Sequence, residues 1–484
     1  MTQKIKSASL VDALIPVLML IGLLAAAVTL YGDNSSYGPN QIALLLSAGV
    51  AAIIALKNGY KWQVIEKGIV KGISISLGAV LILLAVGSLI GTWLLAGTVP
   101  TLIYFGLKVL SPSIFYAASC LICAIVALSI GSSWTVAATI GVALIGVANG
   151  LDMSLPITAG AVVSGAYFGD KMSPLSETTN LAPAVAGSEL FEHIRHMMWT
   201  TVPSIVLALI IFLLLGINAG GEVSSDRISA IQQGLQAQFD ISLLHLVPLV
   251  VLLTLALKRM PAFPAVFIGA LVGGVWAMIF QPDMVLLQAG GEQGGLVTSL
   301  KVIWQTLFDG VSVETGNADL DKLLSGGGMS SMLNTVWLIM CAMTFGAVME
   351  HTGLLHRLIE GLLAGAKSTG SLIATTLGTC FGTNVLTADQ YISIVMPGRM
   401  FKEAYEERGL APVNLSRALE DGGTITSPLI PWNTCGAYMH SVLMVSPLDY
   451  FVYAFFNLIN PLLALVYGFL GIKVLKLTPP QQQQ

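Results

Sequence analysis

Charged residues are scarce in this chain of 484 residues, because lysine, arginine, aspartate and glutamate together make up only 10% of it. A soluble globular protein carries about 25% charged residues, since its surface has to face water. The chain also lacks a surplus of basic residues: its formal net charge is −4, whereas a nucleic-acid-binding domain would be basic. These two absences exclude an ordinary cytosolic enzyme, a disordered protein and a nucleic-acid partner.

Cysteine is also rare, and the five cysteines all lie in apolar segments. Cys120 and Cys123 have CxxC spacing, but no second ligand pair accompanies them, so ordinary helix packing is favoured over a metal or redox role. The sequence has no Walker motif, dinucleotide-binding fingerprint or hydrolase elbow. We therefore expect neither an enzyme nor an ATP-driven pump, and no cofactor.

Long apolar runs recur along the whole chain, and hydrophobic residues make up 55% of it. A membrane-spanning helix needs about 20 apolar residues. Continuous runs of that length predict an all-α polytopic membrane protein in a lipid bilayer, whereas a β-barrel would show short alternating segments. Hydropathy predicts spans near residues 13–30, 41–56, 73–97, 194–217, 241–257, 265–280, 332–349 and 450–472.

The loops between these spans differ in charge. The 57–71 connection holds four lysines, whereas the loops at 218–240 and 281–330 are acidic. Cytoplasmic loops of membrane proteins carry an excess of lysine and arginine. This rule predicts that both termini are cytoplasmic and that most of the 22 basic residues face the same side.

Two stretches of the chain share one order of features. Residues 113–181 contain GSSW and later GDKMSPLSETTN, and residues 368–435 contain GTNV and later EDGGTITSPLIPWNT. Each stretch has an apolar run, a break of glycine and hydroxyl residues, a second apolar run, and an acidic SPL segment. Under the charge-based topology the two units cross the membrane in opposite directions. Inverted-topology repeats with broken helices are typical of secondary transporters.

Glycine and proline in these stretches disfavour continuous helix. We predict two re-entrant hairpins with tips near 131–134 and 382–385. Two discontinuous helices should break near 169–180 and 420–434, with external loops as the alternative interpretation. The predicted division is an N-terminal helix pair (1–56), a first inverted repeat (72–217), a linking helix pair (241–280), an external loop (281–330) and a second inverted repeat (331–476).

Ionisable residues inside a membrane are costly and indicate function. Asp170 and Glu177 lie in the first predicted break among hydroxyl and amide side chains, an oxygen-rich setting that suits a hard cation such as sodium. Burial disfavours the charged form of a carboxyl group, and a bound sodium ion favours it. One carboxyl group can then hold either a proton or sodium, which is the minimal chemistry of an antiporter. The alternative for Asp170 is a structural ion pair with Lys171.

The candidate residues fall into three sets. Asp421 and its neighbour Glu420 are the counterparts of Asp170 in the second break, although Asp421 can equally be a helix N-cap. The hydroxyl and amide residues can each satisfy a helix end instead of a ligand. The predicted ion-binding and proton-coupling set, with sodium at Asp170, is Asp170, Ser173, Glu177, Thr178, Asn180, Asp421, Asn433 and Thr434; the predicted hairpin tips are Ser132, Ser133, Thr383 and Asn384; Asp389 is an additional intramembrane acid.

Two long motifs carry a family resemblance. SGAYFGDKMSPLSETTNLAPAVAG, residues 164–187, resembles the hallmark of the NhaC-type sodium/proton antiporter family. EDGGTITSPLIPWNTCGAYM, residues 420–439, is similar to that family's second conserved segment. The resemblance implies a bacterial inner-membrane carrier with sodium and protons as substrates. It also implies a scaffold, a transport domain with two hairpins, elevator-like motion and a homodimer.

Within the first motif, the resemblance carries over to four residues: Asp170, Glu177, Thr178 and Asn180. Relatives often have aspartate where this chain has Glu177, a change that keeps the charge and alters its reach. One branch of the family exchanges malate for lactate, so an organic-acid carrier coupled to sodium and protons is the alternative function. A carboxylate substrate would need a cation in the cavity, and Lys171 is the only lysine expected in the membrane; we expect no arginine there. A third and less favoured interpretation of the sequence is a channel or a membrane scaffold.

Overall fold

The computed structural model describes residues 5–219, 225–290, 294–315 and 318–477. Across these ranges the chain forms helices and two isolated β-bridges, with no strand. The predicted all-α fold class is therefore confirmed. The amino terminus, both predicted acidic loops and the carboxyl end include residues outside the described ranges, namely 1–4, 220–224, 291–293, 316–317 and 478–484.

The first part of the chain, up to residue 219, contains ten α-helices. They are α1 (Leu10–Tyr31), α2 (Pro39–Lys57), α3 (Trp62–Leu95), α4 (Thr98–Val109), α5 (Pro112–Ile130), α6 (Ser133–Val136), α7 (Val142–Gly150), α8 (Leu155–Met172), α9 (Glu177–Ala186) and α10 (Leu190–Ala219). A π-helical turn, Ala137–Gly141, joins α6 to α7. A 3-10 turn, Gly32–Ser36, follows α1.

The middle of the chain contains six shorter or broken helices in its described residues. They are α11 (Ser225–Gln238), α12 (Val247–Leu257), α13 (Ala262–Phe280), α14 (Pro282–Gln288), α15 (Leu296–Asp309) and α16 (Ala318–Leu324). A 3-10 turn, Leu243–Leu246, precedes α12. Residues 281–330, predicted as an external loop, thus hold three short helices among their described residues.

The last part of the chain repeats the order of the first. Its helices are α17 (Leu333–His351), α18 (Leu354–Leu363), α19 (Thr369–Thr387), α20 (Gln390–Glu407), α21 (Pro412–Leu419), α22 (Thr434–Leu443), α23 (Pro447–Tyr450) and α24 (Phe455–Leu470). A π-helical turn, Glu420–Thr424, continues α21, and 3-10 turns cover Met329–Met332, Ser427–Leu429 and Phe451–Tyr453. Each part has a long helix, a short helix, a helix pair joined by a tight turn, an interrupted helix and a closing helix. The opposite membrane orientation of the two parts and the division into domains stay predictions.

Eight helical segments of the described chain are long and apolar enough to cross a membrane. Two bent pairs, with 83° between Ile228–Gln238 and Leu243–Leu257 and 58° between Pro447–Tyr453 and Phe455–Leu470, also qualify if each pair is one span. Every span predicted from hydropathy falls on one of these ten. The segments Pro112–Ile130 and Ser133–Gly150 are further spans within the irregular apolar region.

Helix α3 is longer than its predicted span of 73–97. It begins at Trp62 and has 34 residues, so it is about 51 Å long at 1.5 Å per residue and exceeds the ~30 Å hydrocarbon core. Lys67 and Lys71, assigned to a loop by hydropathy, lie on its first turns. Lysine is a good helix former, and hydropathy alone does not register helical turns outside the bilayer core.

The first predicted hairpin tip, 131–134, coincides with a tight turn. Gly131 ends α5 with φ +76°, a left-handed conformation that glycine adopts without strain. The Ser132 side chain accepts a hydrogen bond from the Thr135 backbone N–H and caps α6. We call Gly131 and Ser132 the first turn.

The second predicted tip, 382–385, is wrong in position, because α19 continues through Thr383 and Asn384 to Thr387. Asn384 bonds to groups outside its own helix, the Gly423 carbonyl and the Thr426 hydroxyl, so it does not compete with the helical backbone. The turn instead comes at Ala388, with φ +57°, and at Asp389, whose side chain caps α20. We call Ala388 and Asp389 the second turn.

The two predicted helix breaks are present in narrower form. The first break is residues 173–176, between α8 and α9, and the second is residues 425–433, between the π-helical turn and α22. Asp421 lies in the π-helical turn and caps no helix, so the N-cap alternative is wrong for it. Asn433 has that role, since its Oδ1 accepts a hydrogen bond from the Cys435 N–H at 3.0 Å.

Candidate functional site

The position of Asp170 is set by close packing of α8 against α5. A Cβ atom added at Gly165 would lie 2.0 Å from the Cys120 carbonyl oxygen, and one at Gly169 would lie 2.3 Å from the Ala124 carbonyl oxygen. Small residues let two helix backbones approach closely in membrane proteins. The helix carrying Asp170 is therefore held directly on the helix that leads into the first turn.

The first turn packs on the first break. A Cβ atom at Gly131 would lie 2.8 Å from backbone atoms of Leu175 and Ser176, so the contact leaves no room for a side chain. This places the amino end of α6 beside the carboxyl end of α8. The Ser133 backbone N–H donates to Asp170 Oδ2 at 3.1 Å, and the Ser133 hydroxyl donates to the same oxygen at 2.7 Å.

Asp170 is buried, with 8% of its surface exposed. Its own backbone carbonyl is also held, because the Thr179 hydroxyl donates to Asp170 O at 3.2 Å and to Lys171 O at 3.0 Å. Hydroxyl and backbone N–H groups stabilise a carboxylate without neutralising it. The two Ser133 donors therefore bind Asp170 Oδ2 without supplying a countercharge.

The second turn packs on the second break in the same manner. The Thr434 backbone N–H donates to the Ala388 carbonyl at 2.9 Å. Gln390, next to the second turn, accepts hydrogen bonds at its Oε1 from the Ser427 hydroxyl at 2.9 Å and the Cys435 thiol at 2.7 Å. Each half of the chain therefore brings one tight turn onto one helix break.

Near the turns and breaks, residues of the two halves also contact each other directly. The rings of Trp134 and Tyr438 stack at 4.0 Å between centroids, and the Tyr438 hydroxyl donates to the Trp134 carbonyl at 2.8 Å. The Tyr391 hydroxyl donates to Glu177 Oε2 at 2.5 Å. Both turns and both helices that follow the breaks are thus gathered around one place.

A cavity of about 740 Å³ lies at this meeting point. Three carboxyl groups line it: Asp170, Glu177 and Asp389. Its walls also include residues 75–82 in the middle of α3 and the connection between α12 and α13, to which Arg259 belongs. Eight of the residues predicted for the site line it: Ser132, Ser133, Asp170, Glu177, Thr178, Asn180, Asp389 and Thr434.

The other five predicted residues lie behind the cavity wall. Ser173 holds the local bend, since its hydroxyl accepts from the Leu175 N–H at 3.3 Å. Asn433 Nδ2 donates to Asn384 Oδ1 at 3.1 Å, which ties the second break to α19. Thr383 is buried inside α19, and its hydroxyl oxygen has no hydrogen-bond partner among the described residues. The fifth residue is Asp421.

Asp421 forms a fully buried ion pair with Lys171. The predicted alternative of an Asp170–Lys171 pair is therefore wrong. Adjacent residues on an α-helix point about 100° apart, so Asp170 meets Ser133 while Lys171 faces α24, where it donates to Asn460 Oδ1 at 2.9 Å. Arg417, on α21, is also buried, with 2% of its surface exposed; the expectation that no arginine lies in the membrane stays a prediction.

Sequence reasoning missed three residues that line the cavity: Arg259, Gln390 and Tyr391. Gln390 and Tyr391 directly follow Asp389, so a correct placement of the second turn would have found them as the first residues of α20. No signal in the sequence indicates Arg259, because its loop becomes part of the wall only through packing.

Comparisons with known proteins identify the family of this chain. The model of the Na+/H+ antiporter family matches residues 165–472. The Na+/H+ antiporter NhaC of Alkalihalophilus pseudofirmus is 38% identical over 94% of this chain and 96% of its own, and that of Bacillus subtilis is 38% identical over 89% and 92%.

A third relative, the malate-2H+/Na+-lactate antiporter of Bacillus subtilis, is 36% identical over 90% of both chains. All three relatives are named as transporters, and none as an enzyme. The described part of this chain has eight helical segments long and apolar enough to cross a membrane. The chain belongs to the Na+/H+ antiporter family and is a multi-span membrane transporter.

Proposed function

We propose that this protein exchanges sodium ions for protons across the bacterial inner membrane, and that the Asp170 carboxyl group holds either ion in turn. The observation that carries the proposal is the placement of Asp170 at the cavity, with hydrogen bonds to Oδ2 from Ser133 and no basic partner in the described part of the chain. A carboxylate paired with lysine would be neutralised already. Asp170 stays available because Lys171 is paired with Asp421.

Candidate oxygen ligands for sodium line the same cavity as this carboxyl group. The hydroxyl groups of Ser132, Ser133, Ser176 and Thr178 belong to residues that line the cavity with it. Hard cations prefer such oxygen donors. Because a proton and a sodium ion stabilise the same carboxylate, the two exclude each other, and this competition couples their movements.

The cavity wall suggests the side to which it opens. The wall includes residues 75–82 in the middle of α3, whose amino-terminal end carries Lys67 and Lys71, and the loop that contains Lys258 and Arg259. The positive-inside rule puts this basic side in the cytoplasm. We infer an inward-facing state, cytoplasmic termini and alternating access by elevator-like motion of the two turns against a scaffold, in a homodimer.

An organic-acid antiporter is the second candidate, and Arg259 favours it. Its guanidinium group belongs to the cavity wall and is suited to bind a carboxylate substrate. One of the relatives is named as a malate-2H+/Na+-lactate antiporter, so organic-acid exchange occurs among proteins similar to this chain. Lys171, the cation predicted to bind a carboxylate substrate, instead forms an ion pair with Asp421 and does not line the cavity.

Everted membrane vesicles with an imposed pH gradient test both candidates. Sodium added without any organic acid should collapse the gradient in the unmodified protein, and Asp170→Asn should abolish the response. Asp283→Asn, a change of the same kind at an exposed position on α14, is the matched control and should respond normally.

Two outcomes would contradict the proposal. If sodium alone had no effect and malate or lactate restored exchange, the organic-acid function would replace it. If Asp170→Asn were present in normal amounts and fully active, the assignment of the site would be wrong.

A further inference from the structure

Behind the cavity lies a second group of charged residues that the exchange at Asp170 does not use. Lys171, Glu420 and Asp421 are all 0% exposed, and none of them lines the cavity. Lys171 is paired with Asp421, and the Thr200 hydroxyl donates to Asp421 Oδ1 at 3.3 Å. Glu420 and Asp421 belong to the π-helical turn that follows α21. Single-turn π-helical segments are frequent at functional sites.

Glu420 is the unusual member of this group. Both of its carboxyl oxygens are buried and have no hydrogen-bond partner within the described ranges. A buried carboxylate without a donor or an ion-pair partner is far less stable than one in water. The Lys171 ammonium group is bound to Asp421 and Asn460, and the Arg417 guanidinium group donates to the Lys473 carbonyl at 3.2 Å. Burial without a donor therefore favours the protonated form of Glu420 over the carboxylate.

The surroundings of Glu420 contain further unused polar atoms. Asp421 Oδ2, Asn460 Nδ2 and the Thr424 hydroxyl oxygen are buried without a hydrogen-bond partner in the part of the chain that the structure describes. A purely structural position in a packed interior would be expected to satisfy these groups. These groups give the site hydrogen-bonding capacity that the arrangement described here does not use.

We propose that Glu420 is a second proton-binding site, and that its proton is released and regained in each transport cycle. The step is a transfer from the Glu420 carboxyl group to the Asp170 carboxylate, and from there to water in the cavity. The Glu420 carboxylate that remains is then stabilised by Lys171, which the two acids share. This inference rests on the proposed sodium/proton exchange.

Other titratable groups face this site from the helices packed around it. They are Asp170 and Lys171 on α8, His193 and His196 on α10, Cys380 on α19, Arg417 on α21 and Asp421 in the same turn. The Lys171–Asp421 ion pair joins the segments that carry Asp170 and Glu420, since each of these acids directly precedes one member of the pair. Asp170 is thus linked to Glu420 through this pair. It is also the acid among them that reaches the cavity, which makes it the exit for the proton.

The test is the number of protons exchanged per sodium ion. It is measured in proteoliposomes from the sodium and proton gradients at which net flux stops, with the membrane potential clamped by potassium and valinomycin. The unmodified protein should exchange more than one proton per sodium and respond to voltage. Glu420→Gln imitates the permanently protonated acid and should lower the ratio by one, whereas Glu420→Asp should keep it. Glu403→Gln, an exposed position on α20, is the matched control.

If Glu420→Gln folds but shows no net exchange, sodium-for-sodium exchange is measured with ²²Na⁺ to learn whether sodium transport itself is intact. Retained exchange supports the inference, because only the release of the proton is then blocked, and lost exchange contradicts it. An unchanged ratio in Glu420→Gln, or a ratio of one in the unmodified protein, would also overturn it. A protein that moves no protons in response to sodium would instead refute the proposed function itself.

Discussion

The Tyr391 hydroxyl donates to Glu177 Oε2 at 2.5 Å, and this hydrogen bond connects the start of α20 with the start of α9 across the cavity. Each residue lies just after an interruption in its own half of the chain: Tyr391 is the second residue after the second turn, and Glu177 is the first residue after the first break. The bond thus joins two elements that the sequence separates by more than two hundred residues.

Loss of this bond should slow exchange without unfolding the protein. Tyr391→Phe removes only the hydroxyl, and Glu177→Asp keeps the charge but shortens its reach by one methylene. We expect each change to reduce the exchange rate in vesicles several-fold, since a hydrogen bond to a charged group contributes about 1.5–3 kcal/mol before solvent exposure weakens it. The double variant should be no slower than either single one. Two results would contradict a role of this hydrogen bond in exchange. One is a double variant whose loss of rate equals the sum of the two single losses, and the other is a Tyr391→Phe rate equal to that of the exposed control Tyr31→Phe.

Ser133 should tune the affinity of Asp170 for sodium. Its hydroxyl donates to Asp170 Oδ2 at 2.7 Å, and its backbone N–H remains after substitution. Ser133→Ala should weaken the apparent sodium affinity by about tenfold, corresponding to the lower part of the range for a hydrogen bond to a charged group. Ser133→Thr should restore most of it. The sodium concentration for half-maximal exchange is the measurement, and Ser129→Ala, on the exposed side of α5, is the control; an unchanged value in Ser133→Ala would refute the role.

The close contact of α8 with α5 should tolerate no methyl group at Gly169. A Cβ there would lie 2.3 Å from the Ala124 carbonyl, so Gly169→Ala must push the helices apart at a cost of about 1–3 kcal/mol. Thermal unfolding in detergent should show a lower midpoint, and sodium-dependent exchange should fall because Asp170 moves with α8. Gly49→Ala, on α2, has nothing within 4 Å of the added atom and should match the unmodified protein. Equal midpoints for the two variants would show that α8 is less constrained than its packing indicates.

Loss of one member of the buried Lys171–Asp421 pair should lower the stability of the protein more than loss of both members. Lys171→Met leaves Asp421 charged and buried, which typically costs about 3–5 kcal/mol. Replacing both residues, in Lys171→Met with Asp421→Leu, removes the unpaired charge and should recover most of that loss. Denaturation midpoints of the purified variants are the measurement. A double variant as unstable as the single one would mean that the surrounding hydrogen bonds, not the ion pair, hold this region.

Much of the site's location followed from local chemistry. Gly131 with Ser132 and Ser133 predicted the first turn, because a left-handed glycine followed by a capping serine ends one helix and begins another without distant partners. The first break at residues 173–176 followed from proline and serine for the same reason. Asp170 lies between these two local signals, so the residue pattern alone is enough to single it out.

The second turn could not be placed in this way. Thr383 and Asn384 have the composition of a turn, yet α19 continues through them because Asn384 bonds to Gly423 and Thr426, about 40 residues away in the chain. The turn falls instead at Ala388, a residue without any strong turn preference. Contacts with another helix thus outweighed local propensity.

What the sequence by itself determined is the membrane class, the number and approximate position of most spans, and the oxygen-rich neighbourhood of Asp170. These depend on hydrophobicity, on charge and on backbone preferences, which act over a few residues. Tertiary structure alone decided which charges meet: that Lys171 pairs with Asp421 rather than Asp170, and that Glu177 meets Tyr391. Ion pairs and hydrogen bonds act only at contact distance, and helix packing sets those distances between residues far apart in the chain.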